Sequence, residues 1–268
     1  MFVEVNGIST YVESRGHGYP VVLIHALGTN LRSWDPVATV LERGYSLVGY
    51  DYRGHGRSEK TSAAISIPLL AQDLRALLGV LGLERAHLVG LAVGAMIAQQ
   101  VAVDYPGLAS GLVLADTRSG IDAPAAQFNE QRADSVERGG MRAAVDSTIA
   151  RAFAPDFSRR KPEALRAFRG EFLANDPHGY AAVSRALSSF RVTDRLAKID
   201  CPTLLLTGEL DKLCPPSEAA AIQTRIAGAK LEILPGVGHF SAIEAPEVFA
   251  ERALAFLDSI GTREATQP

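Results

Sequence analysis

The 268 residues hold 27 Lys and Arg against 30 Asp and Glu, a formal charge of −3, with 47% hydrophobic and 21% charged residues. That balance removes the electrostatic footprint of a nucleic-acid or anionic-membrane binder, and no apolar run reaches the length of a membrane span. Cys201 and Cys214 are too few and too poorly placed for a disulfide framework or a zinc site, and Met1–Val5 lacks the basic start and apolar run of a secretory signal, so cytoplasmic residence is expected.

In chain order, Phe2–Val5 and Thr10–Ser14 read as strands around an Asn6-Gly7 turn, an antiparallel hairpin. Val21–His25 is a continuous apolar run, as expected of a parallel strand covered on both faces. The loop His25-Ala26-Leu27-Gly28-Thr29-Asn30 leads to a helix over about Leu31–Arg43, then a strand over Tyr45–Tyr50. Leucines 69, 70, 74, 77, 78 and 81 space a helix over Pro68–Leu81.

Next comes His87–Gln99: a short apolar strand, a turn of small residues, then a helix. Gly90-Leu91-Ala92-Val93-Gly94 has the frame of a G-x-S-x-G nucleophile elbow with alanine where serine belongs. In such an elbow the middle residue sits on a strained turn and points into the site, and the glycines let strand and helix backbones approach. The new helix aims free N–H groups and its positive end at the same place.

A strand over Leu108–Ala115 follows, and strand signals then stop. Residues 119–198 read as helices over Gln127–Arg138, Gly140–Phe153, Pro162–Ala174 and Gly179–Phe190, broken by Pro155, Gly170 and Asp176-Pro177. Alternation resumes with a strand at Thr203–Thr207, a helix at Ser217–Ile226, a strand at Lys230–Leu234 and a helix at Pro246–Ile260; the tail from Thr262 is expected to fray. The pattern predicts an α/β core of residues 1–118 and 199–268, a mostly parallel sheet with helices on both faces, and an all-helical cap of residues 119–198 over the strand ends.

Sites in parallel sheets lie at the carboxyl ends of strands. Besides the elbow, those ends carry Gly208-Glu209-Leu210-Asp211 and Gly236-Val237-Gly238-His239-Phe240. Elbow, Asp and His in that order is the chain order of the α/β-hydrolase triad, in which a histidine base serves the nucleophile and a carboxylate orients the histidine.

The chain as a whole resembles the α/β-hydrolases with a helical cap. Within them it is most similar to the 3-oxoadipate enol-lactonases and related ester and lactone hydrolases. The resemblance rests on His25–Pro36, Tyr50–Ser58, the elbow through Gln99, Ser135–Met141 and Cys201–Pro216. It implies His239 as general base, Asp211 as its orienting carboxylate, and the N–H groups of Leu27 and Val93 as the oxyanion hole. Trp34 is expected to wall the substrate pocket or to be a core aromatic. Asp116 is a fallback acid, His25, Arg53 and His55 are structural, and His17, His87 and His178 have no role. No cofactor or metal is expected. The expected partner is a small ester or lactone, and a homo-oligomer is left open.

Ala92 is the departure, because a methyl group cannot attack a carbonyl and no neighbour replaces it. The expected function is a serine-type ester or lactone hydrolase disabled at its nucleophile, as an engineered Ser-to-Ala variant would be. A carbon–carbon bond hydrolase, another histidine-driven enzyme and a non-catalytic ligand-binding relative stay open as alternatives.

Overall fold

The computed structural model describes residues 1–61 and 63–261; the tail from Thr262 lies outside the described residues. β1 (Phe2–Val5) and β2 (Ile8–Gly16) form the expected hairpin. Asn6 and Gly7 sit at φ 48° and 78°, the positive pair that a two-residue turn needs to match strand twist. The remaining strands are β3 (Tyr19–Ile24), β4 (Tyr45–Tyr50), β5 (Ala86–Leu91), β6 (Ala109–Ala115), β7 (Thr203–Gly208) and β8 (Lys230–Leu234).

The sheet order is β1-β2-β4-β3-β5-β6-β7-β8, parallel from β4 to β8, with β2 antiparallel to β4. Every residue of β5 and β7 is buried, which is why these strands are mostly apolar along both faces. The chain winds outward from β3 in one direction to β4 and in the other to β5, so the topological switch falls at the carboxyl end of β3.

Helices α1 (Asp35–Leu41) and α11 (Pro246–Ile260) pack together, as do α2 (Ile67–Val80) and α3 (Val93–Asp104). The helix expected over Leu31–Arg43 is in two parts. A 3-10 turn spans Leu31–Trp34, started where the Asn30 side chain accepts from Arg32 N at 2.8 Å, and Pro36 in the first turn of α1 begins the α-helix proper.

Between β6 and β7 lie α4 (Ala123–Gly139), α5 (Arg142–Ala152), α6 (Phe157–Arg160), α7 (Pro162–Leu173), α8 (Pro177–Ser188) and a 3-10 turn, Thr193–Lys198. The carboxylates of Asp122 and Asp176 cap α4 and α8 through Ala125 N and Gly179 N. Gly170, read as a breaker, instead lies inside α7. A lone helical glycine costs only about 1 kcal/mol against alanine, which the rest of the helix outweighs.

This helical layer rests on the loops at the strand ends. A Cβ on Gly28 would stand 2.7 Å from the Phe172 ring and 3.1 Å from Tyr180, and Asn175 Nδ2 donates to Gly28 O at 2.9 Å. Gly179 and Gly54 meet so closely that a Cβ on Gly179 would reach Gly54 O at 2.2 Å.

α3 makes a very close backbone contact in the core. A Cβ on Gly94 would stand 2.1 Å from the Ile24 carbonyl oxygen, and one on Gly90 would stand 2.5 Å from Ala95 N. Gly94→Ala should therefore push α3 off β3 and cost about 1–3 kcal/mol, as overpacking does. Urea unfolding measures this; an unchanged midpoint would show that the helix has room to move.

Candidate active site

Ala92 joins the last residue of β5 to the first of α3, at φ 52° and ψ −111°. A side chain held at positive φ costs about 1–3 kcal/mol and persists only where its surroundings over-determine it. Here Ala92 N donates to Ala115 O at 2.9 Å and Met96 N donates to Ala92 O at 3.1 Å, so strand and helix pin the residue from both sides. Gly90 and Gly94, four residues apart across the turn, leave the space in which it can close. The Ala92 side chain is 7% exposed, on the wall of an internal cavity.

His239 and Asp211 arrive on the loops after β8 and β7. His239 Nδ1 lies 2.8 Å from Asp211 Oδ2 and donates to it. Asp211 Oδ1 accepts from Leu213 N and Cys214 N, each at 2.8 Å, so the carboxylate is held by its own loop while it holds the ring. With its proton fixed on Nδ1, the imidazole keeps Nε2 as a free acceptor. Burial alone would lower the His239 pKa, but the Asp211 charge and hydrogen bond, with Asp116 behind them, raise it above the ordinary value of 6.5.

Asp116, the fallback acid, is not on the histidine. It ends β6 at φ 49°, fully buried, and takes Gly208 N at 3.0 Å on Oδ1 and Ser241 N at 2.9 Å on Oδ2. Burial and the Asp211 charge push its carboxyl up to about 8.

The cavity, about 300 Å³, brings together Leu27, Ala92, Val93 and His239 from the strand ends with residues of the helical layer above them. Leu27 and Val93, expected to offer N–H groups, both line it, and neither N–H is given to another protein group among the described residues. From α4 come Ala125, Phe128, Asn129 and Arg132, one helical face; Tyr180 and Leu187 come from α8. Arg132 is fixed by Ser184 Oγ at 3.1 Å and Asn129 Oδ1 at 3.0 Å. Arg118, Arg132, Arg151 and Lys212 share the lining with one acid, Asp122, so the walls are net positive. None of these cations was singled out in the sequence. The 125/128/129/132 spacing was there to be read, but spacing does not say which helix face meets the site.

Trp34 does not wall the cavity. It is 1% exposed, with its ring centroid 5.7 Å from that of Phe249 on α11, and takes the core reading. Short-range spacing places an aromatic on a face but not on one side or the other of a sheet. His25 stacks on Tyr52 and contacts Ala26 O through Nδ1 at 2.9 Å, with burial lowering its pKa to about 4. Arg53 is bonded to Asp73 inside the core, and His87 Nδ1 meets Ser110 Oγ at 3.1 Å. Among the described residues, Asp211, Cys214 and His239 are the one trio whose donor atoms lie close enough to share a metal, all within 4.8 Å. Asp211 and His239 are bonded to each other through Oδ2 and Nδ1, and Arg118 faces the Cys214 thiol.

Known proteins share this fold. A 3-oxoadipate enol-lactonase of Acinetobacter baylyi is 28% identical over 229 residues, 85% of each chain. The crystal structure of the enol-lactonase from Burkholderia xenovorans superposes with a TM-score of 0.92 at 28% identity, over 96% of this chain and all of that one. A thermophilic esterase from Thermogutta terrifontis, solved with malate bound, superposes with a TM-score of 0.93 at 28% identity, over 98% of this chain and all of that one. The family described as the alpha/beta hydrolase fold matches residues 19–246, which run from β3 through the His239 loop to the start of α11. With every strand end that meets the cavity inside that match, the chain belongs to the alpha/beta hydrolase fold family.

Proposed function

We propose that the chain is a serine-type hydrolase of carboxylic esters or lactones, enol-lactonase-like, held inactive by alanine at its nucleophile position. The observation that carries this reading is the strained backbone of Ala92. A φ of 52° is strained for an alanine, and it presents that side chain to the cavity lined by His239, the partner of Asp211.

With serine at 92, Oγ would attack the carbonyl while His239 Nε2 takes its proton and Asp211 stabilises the resulting imidazolium. The tetrahedral oxyanion would be received by the N–H groups of Leu27 and Val93, the latter at the positive end of α3. His239 would then return the proton to the leaving alkoxide, and water would repeat the cycle on the acyl-enzyme. Helices α4–α8 act as a cap, and the cavity beneath it, with four cations against one acid, suits an ester or lactone bearing an acidic group. The relatives named as enol-lactonases and esterases support the same bond class. An acid, a base and two elbow glycines standing intact around one alanine are what a single replacement of serine would leave.

Ala92→Ser should raise hydrolysis of a short aryl ester by at least about a thousandfold, and His239→Ala in the serine form should remove the gain. Equal rates for the alanine and serine forms would end the hydrolase reading. The serine form should also show kcat/KM rising with pH, because His239 acts as a base only when neutral. Since Asp211 raises the histidine above its ordinary value despite burial, the midpoint should fall above 6.5, and a midpoint below it would remove His239 from the role.

A further inference from the structure

The base loop is gripped by two buried carboxylates that do not bond the imidazole. Glu244, 1% exposed, takes Gly238 N on Oε1 at 2.8 Å, and Asp116 takes Ser241 N on Oδ2 at 2.9 Å. These N–H groups lie just before and just after His239. The second oxygen of each carboxylate goes to a different part of the molecule. Glu244 Oε2 accepts from Ala154 N, at the end of α5, at 3.1 Å, and Asp116 Oδ1 accepts from Gly208 N, at the end of the strand that carries Asp211, at 3.0 Å. His239 N completes the junction by donating to Ala152 O at 2.6 Å.

The glycines at this junction are there to admit it. A Cβ on Gly238 would stand 2.4 Å from Ala152 O and 2.5 Å from Glu244 Oε1, and one on Gly208 would stand 2.1 Å from Gly238 O. A buried carboxylate is costly unless hydrogen-bonded, and each of these spends both oxygens on backbone N–H groups of separate elements. We propose that Asp116 and Glu244 are positioning residues that register His239 from either side, Asp116 against the acid strand and Glu244 against the cap. Docking of the cap and placement of the base are then one event. The proposal rests on reading His239 as the base, but its first test needs no catalysis.

An amide presents one acceptor and one donor, so Glu244→Gln or Asp116→Asn turns an NH2 toward one of the two N–H groups. The charged and titratable groups around His239 are Asp211, Asp116 and Cys214 from the strand ends and Arg132 from the cap; those around Glu244 are Arg160 and Asp156. Glu244 bonds backbone N–H groups and not the ring, so a variant that keeps its carboxylate separates an effect of geometry from one of charge.

In the alanine protein, 15N shifts of His239 followed from pH 5 to 9 should show a lowered pKa for Glu244→Gln, by about half a unit or more, as the bond to Asp211 loosens. Glu244→Asp, which keeps the charge and falls one methylene short, should give the same loss. Exchange of the Gly238 and Ala154 amides should quicken in both. Asp116→Asn should lower the pKa as well, since it frees the Ser241 side of the loop. In the Ala92→Ser form each substitution should reduce kcat about tenfold or more while leaving KM within twofold, as misplacement of a base does. A His239 titration and amide exchange unchanged in both Glu244 variants would overturn the proposal. Absence of hydrolysis in Ala92→Ser would count against the function alone, because the titration is read without turnover.

Discussion

Because a Cβ at Gly94 would stand 2.1 Å from the Ile24 carbonyl, α3 can reach its place beneath β3 only with hydrogen as the side chain there. That contact sets the steepness of the turn out of β5, and the steepness sets the positive φ of Ala92. The first N–H groups of α3 end up facing the same cavity as Leu27, on the neighbouring strand end. The arrangement is made by backbone rather than by side-chain bonds, so it survives intact around a residue with nothing to contribute but a methyl group.

Carboxylates organise the other half of the site. Asp211 meets the histidine directly, while Asp116 and Glu244 bind the main chain around it. Three buried acids in so small a volume cannot all carry full charge without compensation. Burial with the Asp211 charge pushes Asp116 up to about 8, and burial pushes Glu244 up to about 7. Asp211 is the one held by two N–H donors of its own loop and a histidine that can take a proton.

Much of this was legible in the chain. The apolar runs of β3, β5 and β7 announced a sheet covered on both faces, and the glycine turns after β5, β7 and β8 marked where its open ends lie. Asp211 and His239 could be placed because chain order and strand ends suffice to bring them together, and the structure joins them by a 2.8 Å bond. Trp34 could not, since its side of the sheet depends on how a 3-10 turn enters α1. The cations of the cavity were silent because α4 gives no sign of which face it will lay down. Asp116 and Glu244 were hidden for another reason. They bind backbone N–H groups, which every residue carries, so no partner side chain marks the bond.

The position of the helical layer within the chain also bears on the order of assembly. It is inserted between two strands that lie side by side, so pairing Leu112 with Thr203 closes a loop of roughly ninety residues. The hairpin β1–β2 closes over two residues, and the longest closure among β3 to β6, pairing Val21 with His87, spans roughly sixty-five. Loop-closure entropy therefore delays β7 and β8, the strands that bring Asp211 and His239. A chain emerging from the ribosome would form the turn at Ala92 well before it held Asp211 and His239, and would acquire both late in folding.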